Sequence, residues 1–168
     1  EIKAEGEHQG DLIVAGKYYS KTFNFYDCIG KDTYTPKESF ENLGNMDGFI
    51  ASYSQEGMYR WSQRIGGQND VDVSDVTETK SGIAISINGI TSYNSNYSSI
   101  YLTTQKNAVF GSVRKKGLAG IISQYSLDGS NVNYYGIYPM NDAMQTNDNV
   151  MISDIENTKD NRLIVAVN

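Results

Sequence analysis

The sequence predicts an all-β chain made of repeated, antiparallel, four-stranded sheets. Two observations predict this class. Short runs rich in β-branched and aromatic residues alternate with turns containing Gly, Asn, Asp or Ser, which is typical of strands. One run–turn–run unit also recurs, because GFIASYSQEG (48–57) aligns with GIISQYSLDG (120–129) at an offset of 72 residues. A fixed offset of this size indicates a repeat architecture.

The repetition extends along the chain. Further aligned segments are LIVAG (12–16) with AISIN (84–88), VSDVTETKSGIAIS (73–86) with ISDIENTKDNRLIV (152–165), and HQGDLIVAG (8–16) with KDNRLIVAV (159–167). The second of these alignments has an offset of 79, so the second copy carries about seven extra residues. The sequence therefore predicts one repeat domain, with repeats at 1–72 and 73–151. Residues 152–168 begin or complete a further unit.

Each element can be placed in chain order. The β-rich runs are DLIVAGKYYSKTFNF, GFIASYS, MYRWSQRI, GIAISINGI and GIISQYS. They end at turn signals such as QEG, TKSG, LDG and TKDN, whose Gly or Asn supplies the positive φ of a tight hairpin. TPKESFENLG (35–44) fits either a helical turn, with Thr35 as cap and Pro36 at the first position, or a loop or irregular strand.

About four strands in each repeat correspond to one blade-sized sheet. Radial stacking of such sheets is the β-propeller solution to exposed sheet edges. A solenoid of sheets and a sandwich made by duplication are the competing architectures. We expect a propeller-like arrangement of two blades plus an extra terminal strand.

At this level of detail the chain resembles a known family. LIVAGKYYSKTFNF followed by DGFIASYSQEGMYRWSQRIGG resembles the bacterial β-propeller repeats often called SBBP repeats. Gly16 and Tyr18 match the first strand of that pattern, Phe23 and Phe25 the second, and Trp61 with IGG (65–67) the third. The second copy departs from the pattern, since Asn133 stands at the Trp position and Tyr138–Pro139 at the Gly-Gly.

The resemblance implies four-stranded antiparallel blades in a secreted or surface-exposed bacterial protein. It implies no catalytic activity, because the family pattern carries structural residues only. Two blades cannot close a propeller. The chain is therefore expected to be part of a longer propeller, one copy of a homomeric ring or fibre, or an open two-sheet unit packed against something else.

Composition excludes several partners. The net charge is −6 and the only basic run is VRKKG (113–117), so no basic face is available for nucleic acid. No apolar stretch approaches the roughly 20 residues that span a bilayer, so membrane insertion is not expected. Cys28 is the only cysteine, which rules out an internal disulfide. The chain opens with EIKAEG and has neither Met nor a signal peptide there, which fits a processed chain or a segment of a larger one.

An acidic cluster is the candidate metal site. Asp70, Asp72 and Asp75 lie within NDVDVSD, and calcium prefers several such oxygen ligands. The spacing is not that of an EF-hand, and the competing interpretation is turn residues and solvated polar strand faces. We expect no cofactor, and calcium is the one ion that this cluster would suit.

Tyrosines among Asn and Ser are the candidate binding surface. Tyr18, Tyr93, Tyr97 and Tyr134 are the tyrosines that would contact a protein or glycan partner, because rings give contact area and amides give hydrogen bonds. The competing interpretation is packing on a sheet face. Neighbouring residues of a strand point to opposite faces, so at least one tyrosine of each adjacent pair is structural.

Catalytic chemistry finds little support. His8 is the only histidine and the chain has four arginines in no evident arrangement, so neither a triad nor a sialidase-type site is expected. Ser54, Glu56, Gly57 and Trp61 resemble the Asp-box turn of sialidases, but at the wrong spacing. The predicted function is a non-catalytic binding or structural module, extracellular or on a bacterial surface. It would contact a protein, a glycan or further copies of itself through strand edges. The alternative is a scaffold fragment of an extracellular glycan-acting hydrolase.

Overall fold

The computed structural model describes residues 1–3, 5–29, 35–91, 100–103, 109–110, 117–137 and 150–168. Within these ranges the chain is all-β and contains no helix. The strands are β1 Leu12–Tyr18, β2 Thr22–Phe25, β3 Glu38–Glu41, β4 Asp47–Tyr53, β5 Tyr59–Gly67, β6 Val71–Thr79, β7 Gly82–Thr91, β8 Ile100–Tyr101, β9 Val109–Phe110, β10 Gly117–Tyr125, β11 Asn131–Ile137, β12 Ile152–Asn157 and β13 Leu163–Val167.

These strands form antiparallel sheets. The first sheet has the order β1-β4-β5-β8-β9 and the second sheet the order β11-β10-β7-β6, while β2–β3 and β12–β13 are separate hairpins. In the second sheet, β6, β7, β10 and β11 follow one another in space as they do along the chain, so this sheet is a four-stranded meander. The predicted all-β class with four-stranded antiparallel sheets is confirmed.

The sheets and hairpins stack in four layers. The first and second sheets share the central core, to which Ile50 and Ile65 contribute from one side and Ile85 and Ile121 from the other. The β2–β3 hairpin covers the outer face of the first sheet, and β12–β13 covers the outer face of the second. The second sheet is consequently packed on both faces, which explains why β7 is buried from Gly82 to Gly89.

An aromatic cluster fills the space between the β2–β3 hairpin and the first sheet. Its members are Tyr18, Phe23, Phe25, Phe40, Phe49, Tyr53 and Tyr59. The ring centroids of Phe23 and Phe49 are 4.8 Å apart, which joins the hairpin to the first sheet. Rings at such separations prefer tilted or edge-on contacts, and several pairs here adopt them. The segment 35–44 thus supplies β3 rather than a helical turn, because Phe40 is needed in this cluster.

The predicted 72-residue repeat is present in the hydrogen-bonded register. In the β4–β5 pair Gly48 lies opposite Ile65, and in the β10–β11 pair Gly120 lies opposite Ile137. Both pairs carry their irregularity at the same place, between positions 52 and 53 in the first and 124 and 125 in the second. Bulges re-aim the residues that follow them, so their position is a structural feature of the repeat.

The offset of the preceding strand differs by one residue from the sequence alignment. Gly16 of β1 lies opposite Phe49, whereas Ile121, the counterpart of Phe49, lies opposite Ile87. The offset between β1 and β7 is therefore 71, so LIVAG (12–16) corresponds to IAISI (83–87). Both alignments place apolar residues on apolar residues. Only the pairing register selects between them, because a one-residue slip exchanges the two faces of the strand.

The C-terminal hairpin is a second copy of β6–β7. The β6–β7 register shifts between Val73 and Asp75, and the β12–β13 register shifts between Ile152 and Asp154, which are 79 residues further on. The predicted offset of 79 is thus realised between β6 and β12, whereas the pairing register gives an offset of 80 between β7 and β13, since Ile87 lies opposite Val73 and Val167 opposite Ile152. β12–β13 therefore packs on the second sheet as β6–β7 packs on the first.

Three hairpin turns share one construction. The turns at 54–58, 126–130 and 158–162 each close a three-residue loop, with Gly57 (φ 90°), Gly129 (φ 87°) and Asn161 (φ 60°) in the left-handed region. The opening hydroxyl of each turn donates to an acid two residues later, as Ser54 does to Glu56 at 2.8 Å. This Ser/Thr-x-acid-Gly/Asn sequence is a structural signature of the repeat.

The same interlayer contact recurs between successive sheets. A Cβ atom added to Gly48 would lie 2.6 Å from Val73 Cγ2, and one added to Gly120 would lie 2.8 Å from Ile152 Cγ1. Each glycine thus admits a β-branched side chain of the next layer at the equivalent position of the repeat. Successive layers are therefore related by similar packing.

This close approach gives a first prediction. Gly48→Ala is expected to lower the free energy of unfolding by about 1–2 kcal/mol, because the added methyl overpacks the contact with Val73. Equilibrium denaturation measures the change. Gly48→Ala combined with Val73→Ala should recover part of the loss, and an undiminished loss in the double variant would contradict the assigned contact.

Candidate functional site

Among the described residues, the outermost strand of the second sheet, β11, is an uncharged edge. Its sequence NVNYYGI contains no charged residue and no proline, and Val132 (65% exposed), Tyr134 and Tyr135 (52%) face solvent. Within the described residues, β11 pairs only with β10. Charges, prolines and bulges on an edge strand hinder its pairing with other chains, and of these devices β11 has only the bulge at Val132. β11 is therefore a candidate interaction surface.

The equivalent strand of the first sheet is protected. β5 carries Arg60 and Arg64, and β8 extends it at Gly66 and Gly67. Arg60 Nε forms an ion pair at 2.7 Å with the buried carboxylate of Asp11. The two strands are repeats of each other, so the lack of charge on β11 is a specific difference between the copies rather than a property of the fold.

Trp61 of the first sheet contacts the β10–β11 hairpin turn of the second sheet. Its indole Nε1 donates a hydrogen bond to the carbonyl oxygen of Leu127 at 2.7 Å, and Gln63 Nε2 donates to Gly129 O at 3.1 Å. A Cβ atom on Gly129 would lie 2.6 Å from the indole ring. The glycine turn therefore lies directly against the ring of the preceding sheet.

The corresponding positions of the second sheet are occupied by Asn133 and Tyr135. Both side chains are exposed, and Asn133 Nδ2 donates to the Tyr135 hydroxyl at 2.6 Å. They point toward the layer of β12–β13, as Trp61 and Gln63 point toward the second sheet. The surface formed by Trp61 and Gln63, which contacts a hairpin turn in the first sheet, thus corresponds to a surface formed by Asn133 and Tyr135 in the second.

Polar side chains of the second sheet hold β12. Asn88 Nδ2 donates to Ile152 O at 2.9 Å, and Ile152 N–H donates to Asn88 Oδ1 at 2.8 Å. Asp75 Oδ2 accepts the Ile155 N–H at 3.0 Å. Asn88 is 5% exposed and Ile152 is fully buried. These bonds satisfy backbone groups of β12 that face an apolar interior, so they fix its position along the sheet.

Asp75 also contacts a second acid, Asp154. A side-chain hydrogen bond between them raises the pKa of Asp154, and desolvation and the negative charges of Asp75 and Glu156 act in the same direction. The folded-state pKa lies above the unfolded value. The stabilisation from the protonated form is therefore complete below the unfolded pKa of about 3.9 and is lost as the pH rises through the raised folded value.

This acid pair gives a second prediction. Asp154→Asn is expected to be more stable than the parent chain at pH 7, because the amide bonds to Asp75 without adding charge. The difference should shrink as the pH falls through the raised pKa. Denaturation series at several pH values measure it, with Asp160→Asn as the control, since the pKa of Asp160 is lowered by Arg162. A stability advantage that did not change with pH would contradict the coupling.

A buried polar cluster surrounds Asp47, the first residue of β4 in the first sheet. Asp47 is fully buried and accepts the Leu43 N–H at 2.8 Å. Burial raises its pKa, while the N–H groups of Leu43 and Gly67 and the charge of Arg64 oppose the rise. The Tyr18 hydroxyl is buried beside this cluster, has no hydrogen-bond partner among the described residues, and has a raised pKa because of burial. The second repeat has Ala119 at the Asp47 position, so the cluster is specific to the first.

The structure separates the predicted tyrosines. Tyr18 is 4% exposed and stacks on Phe23 with ring centroids 5.0 Å apart, so it lies in the aromatic cluster and not on the surface. Its neighbour Tyr19 is the exposed member of the pair, at 69%. Tyr134 lies on the exposed edge strand β11, while Tyr93 and Tyr97 fall outside the described residues.

The predicted acidic cluster is divided among different contacts. Asp72 Oδ2 forms an ion pair with Lys17 Nζ at 2.9 Å, and Asp75 binds backbone N–H groups of Val76 and Ile155. Asp70 precedes β6 and its Oδ1 is buried. No group of three or more acidic, histidine or cysteine side chains suited to a metal ion occurs among the described residues.

An open polar groove of about 760 Å³ lies where the N-terminal residues meet the β12–β13 turn. Its walls are formed by Glu1, Lys3, residues 76–80, residues 157–159 and Asn161. The backbone N–H of Lys3 donates to the Glu78 carboxylate at 3.0 Å. Both signs of charge line this groove, so it has no bias toward an anionic or a cationic ligand.

Comparison with known proteins identifies no relative. Neither the family profiles, the curated proteins nor the solved structures contain a match to this chain. Among the described residues, no helix is long and apolar enough to cross a membrane.

Proposed function

We propose that the chain is a non-catalytic repeat module of the β-propeller type with a binding or structural role at a bacterial surface or in an extracellular assembly. The supporting observation is the recurrent sheet-to-sheet packing, in which Gly48 admits Val73 and Gly120 admits Ile152. Layers that repeat one contact form a scaffold whose exposed surfaces are free to vary. The partner is a protein or a glycan that contacts the β11 surface.

The composition of the β11 surface supports binding. Tyr135 gives rigid aromatic area with the Asn133 amide beside it, and Tyr134 gives a second exposed ring on the opposite face of the strand. Aromatic rings and amides are the side chains that planar sugar faces and peptide groups contact readily. In the first sheet the same strand carries arginines and a tryptophan that pack within the molecule, so the second copy alone retains this exposed set.

One experiment distinguishes this proposal from the hydrolase alternative. The chain is incubated with a panel of purified bacterial and plant polysaccharides, and both retention and release of reducing ends are measured. The module predicts no release of reducing ends with any polysaccharide. Any retention is expected to weaken at least about tenfold in Tyr134→Ser, which removes an exposed ring, and to persist in Lys159→Ser on the distant β12–β13 turn. Release of reducing ends by the purified chain would contradict the proposal.

A further inference from the structure

We propose that Asn88–Gly89 in β7 is a site of spontaneous deamidation that the native fold holds unreactive, and that the modification, once made, prevents β12–β13 from packing on the second sheet. This dipeptide is the only Asn-Gly in the chain. An asparagine followed by glycine is especially prone to deamidation, because no Cβ atom beside the glycine nitrogen hinders its attack on the asparagine carboxamide. The site is distinct from β11 and its binding role.

The deamidation needs no reactant other than water. The main-chain nitrogen of Gly89 loses its proton and bonds to Cγ of Asn88, the Cγ–Nδ2 bond breaks, and ammonia leaves behind a succinimide ring. Water then opens the ring at one of its two carbonyl carbons. Cleavage of the bond between the nitrogen and Cγ gives an aspartate, whereas cleavage of the bond to the main-chain carbon gives an isoaspartate, in which the chain runs through the side chain.

Strand pairing on both sides of β7 opposes ring closure. β7 lies between β6 and β10, and Gly89 pairs with Val71 on one side and with Ala119 on the other. In an extended strand the side chain of one residue projects from the sheet, while the nitrogen of the next residue lies in it. Ring closure therefore requires the main chain at Asn88 to leave the extended conformation, which would break the pairing on both sides.

The carboxamide of Asn88 is fixed as well. Its Nδ2 donates to Ile152 O at 2.9 Å and to Ser74 Oγ at 3.1 Å, and its Oδ1 accepts the Ile152 N–H at 2.8 Å. Asn88 is only 5% exposed. These bonds hold Cγ toward β12 and away from the nitrogen of Gly89, so the native structure keeps the two reacting atoms apart.

Each residue of this labile pair is required by a different contact. The Asn88 carboxamide satisfies both backbone groups of Ile152, which a carboxylate cannot do because it only accepts hydrogen bonds. A Cβ atom on Gly89 would overlap Ile100 Cδ1 of β8. β12 thus requires the asparagine and β8 requires the glycine, and together they place a chemically labile sequence in a buried strand.

Deamidation removes the groups that hold β12. An aspartate at position 88 has no N–H to donate to Ile152 O or Ser74 Oγ, and its charge would lie in a buried interface. Asp72 of β6 lies directly opposite this position, so the new charge would also face a like charge. An isoaspartate additionally inserts a main-chain carbon into β7 and shifts the pairing that follows. An opening of β7 that lasts long enough for the reaction is therefore irreversible for the β12–β13 layer.

Deamidation rates in the native and the unfolded chain test whether the fold protects the site. The purified chain is held at mildly alkaline pH, either native or in urea above its unfolding midpoint, and trypsin then releases residues 81–106 for mass spectrometry. In urea, Asn88 is expected to deamidate before the other asparagines. In the native chain its rate should be at least about a hundredfold lower, because the reaction must pass through the opening of a central strand. Similar rates in the two states would overturn the proposal, and so would an Asn88 that stays intact in urea.

The effect on β12–β13 is measured after refolding. Chains deamidated in urea are refolded beside chains that spent only a short time in urea, and hydrogen exchange at the Ile152 amide is compared. The deamidated fraction should exchange at least about tenfold faster at Ile152, since the hydrogen bonds to Asn88 are lost. The amides of β4 and β5 should keep their protection. Equal protection of Ile152 in the two samples would overturn the proposed loss of β12–β13.

Asn88→Asp supplies the charged product directly, and Asn133→Asp is the matched control. Asn133 is an exposed asparagine of the same sheet, and its amide donates to the Tyr135 hydroxyl rather than to β12. Asn88→Asp should remove the protection of the Ile152 amide, while Asn133→Asp should leave its exchange rate within about twofold. Equal effects of the two substitutions would overturn the proposal. If Asn88→Asp does not fold, the rates and the refolding of the parent chain decide it.

Discussion

Replacing Asn88 with alanine is expected to release β12–β13 from the second sheet and to lower the free energy of unfolding by about 2–4 kcal/mol. The side chain of Asn88 satisfies both backbone groups of Ile152, at 2.9 and 2.8 Å, in a buried interface. Alanine leaves an N–H and a carbonyl of β12 without partners, and each unpaired buried group costs its own desolvation energy.

Hydrogen exchange and chemical denaturation measure this effect together. In Asn88→Ala the amide of Ile152 should exchange much faster, because the hydrogen bond that protects it is lost, and the denaturation midpoint should fall. Asn133→Ala is the matched control, since it removes an asparagine from the same sheet at an exposed position and should change stability by less than about 0.5 kcal/mol. Equal effects of the two substitutions would contradict the role of Asn88.

The role of Asn88 could not be predicted from the sequence. Its partner Ile152 is 64 residues away, and no local pattern connects them. What the sequence did predict is local or periodic: the glycine turns, the alternation of apolar residues and the recurrence of GFIASYS as GIISQYS. Those features determine the hairpins. The register in which β1 pairs with β4 does not follow from these local features. The offset of 71 between β1 and β7 therefore became visible only in the structure.

The burial of individual residues at the candidate site could not be predicted from the sequence either. Two adjacent tyrosines, Tyr18 and Tyr19, indicate that one is structural, but the pattern does not say which. The structure buries Tyr18 because Phe23 and Phe49 from other elements surround it. Asp47 is a further case, since its burial follows from the N–H donors of residues 43 and 67 and not from its neighbours in the strand.

The β2–β3 hairpin affects how the layers can assemble. β2–β3 covers the face of the first sheet that corresponds to the face of the second sheet in contact with its predecessor. Phe49, on this covered face, is the counterpart of Ile121 in the central core. β2–β3 consequently covers the first sheet as a capping element covers the first unit of a repeat array.

Trp61→Ala is expected to lower the free energy of unfolding by about 2–4 kcal/mol, because it removes a large ring packed between the two sheets. The indole also supplies the hydrogen bond to Leu127 O, and its face covers Gly129. In the variant, the amides of the turn at 127–129 should lose protection from hydrogen exchange, while the turn at 55–57, held by Cys28, should keep it.

Trp61→Phe distinguishes ring packing from hydrogen bonding. Phenylalanine keeps most of the apolar area and loses only the Nε1–H donor, so its cost should be about 1 kcal/mol. If Trp61→Phe were as damaging as Trp61→Ala, the hydrogen bond to Leu127 O would dominate and shape would contribute little to docking. If both were neutral, the indole would not join the sheets, and the parallel drawn with Asn133 in the second sheet would lose its basis. A graded loss from Trp to Phe to Ala supports docking by a ring against a glycine turn, because packing then outweighs the single hydrogen bond.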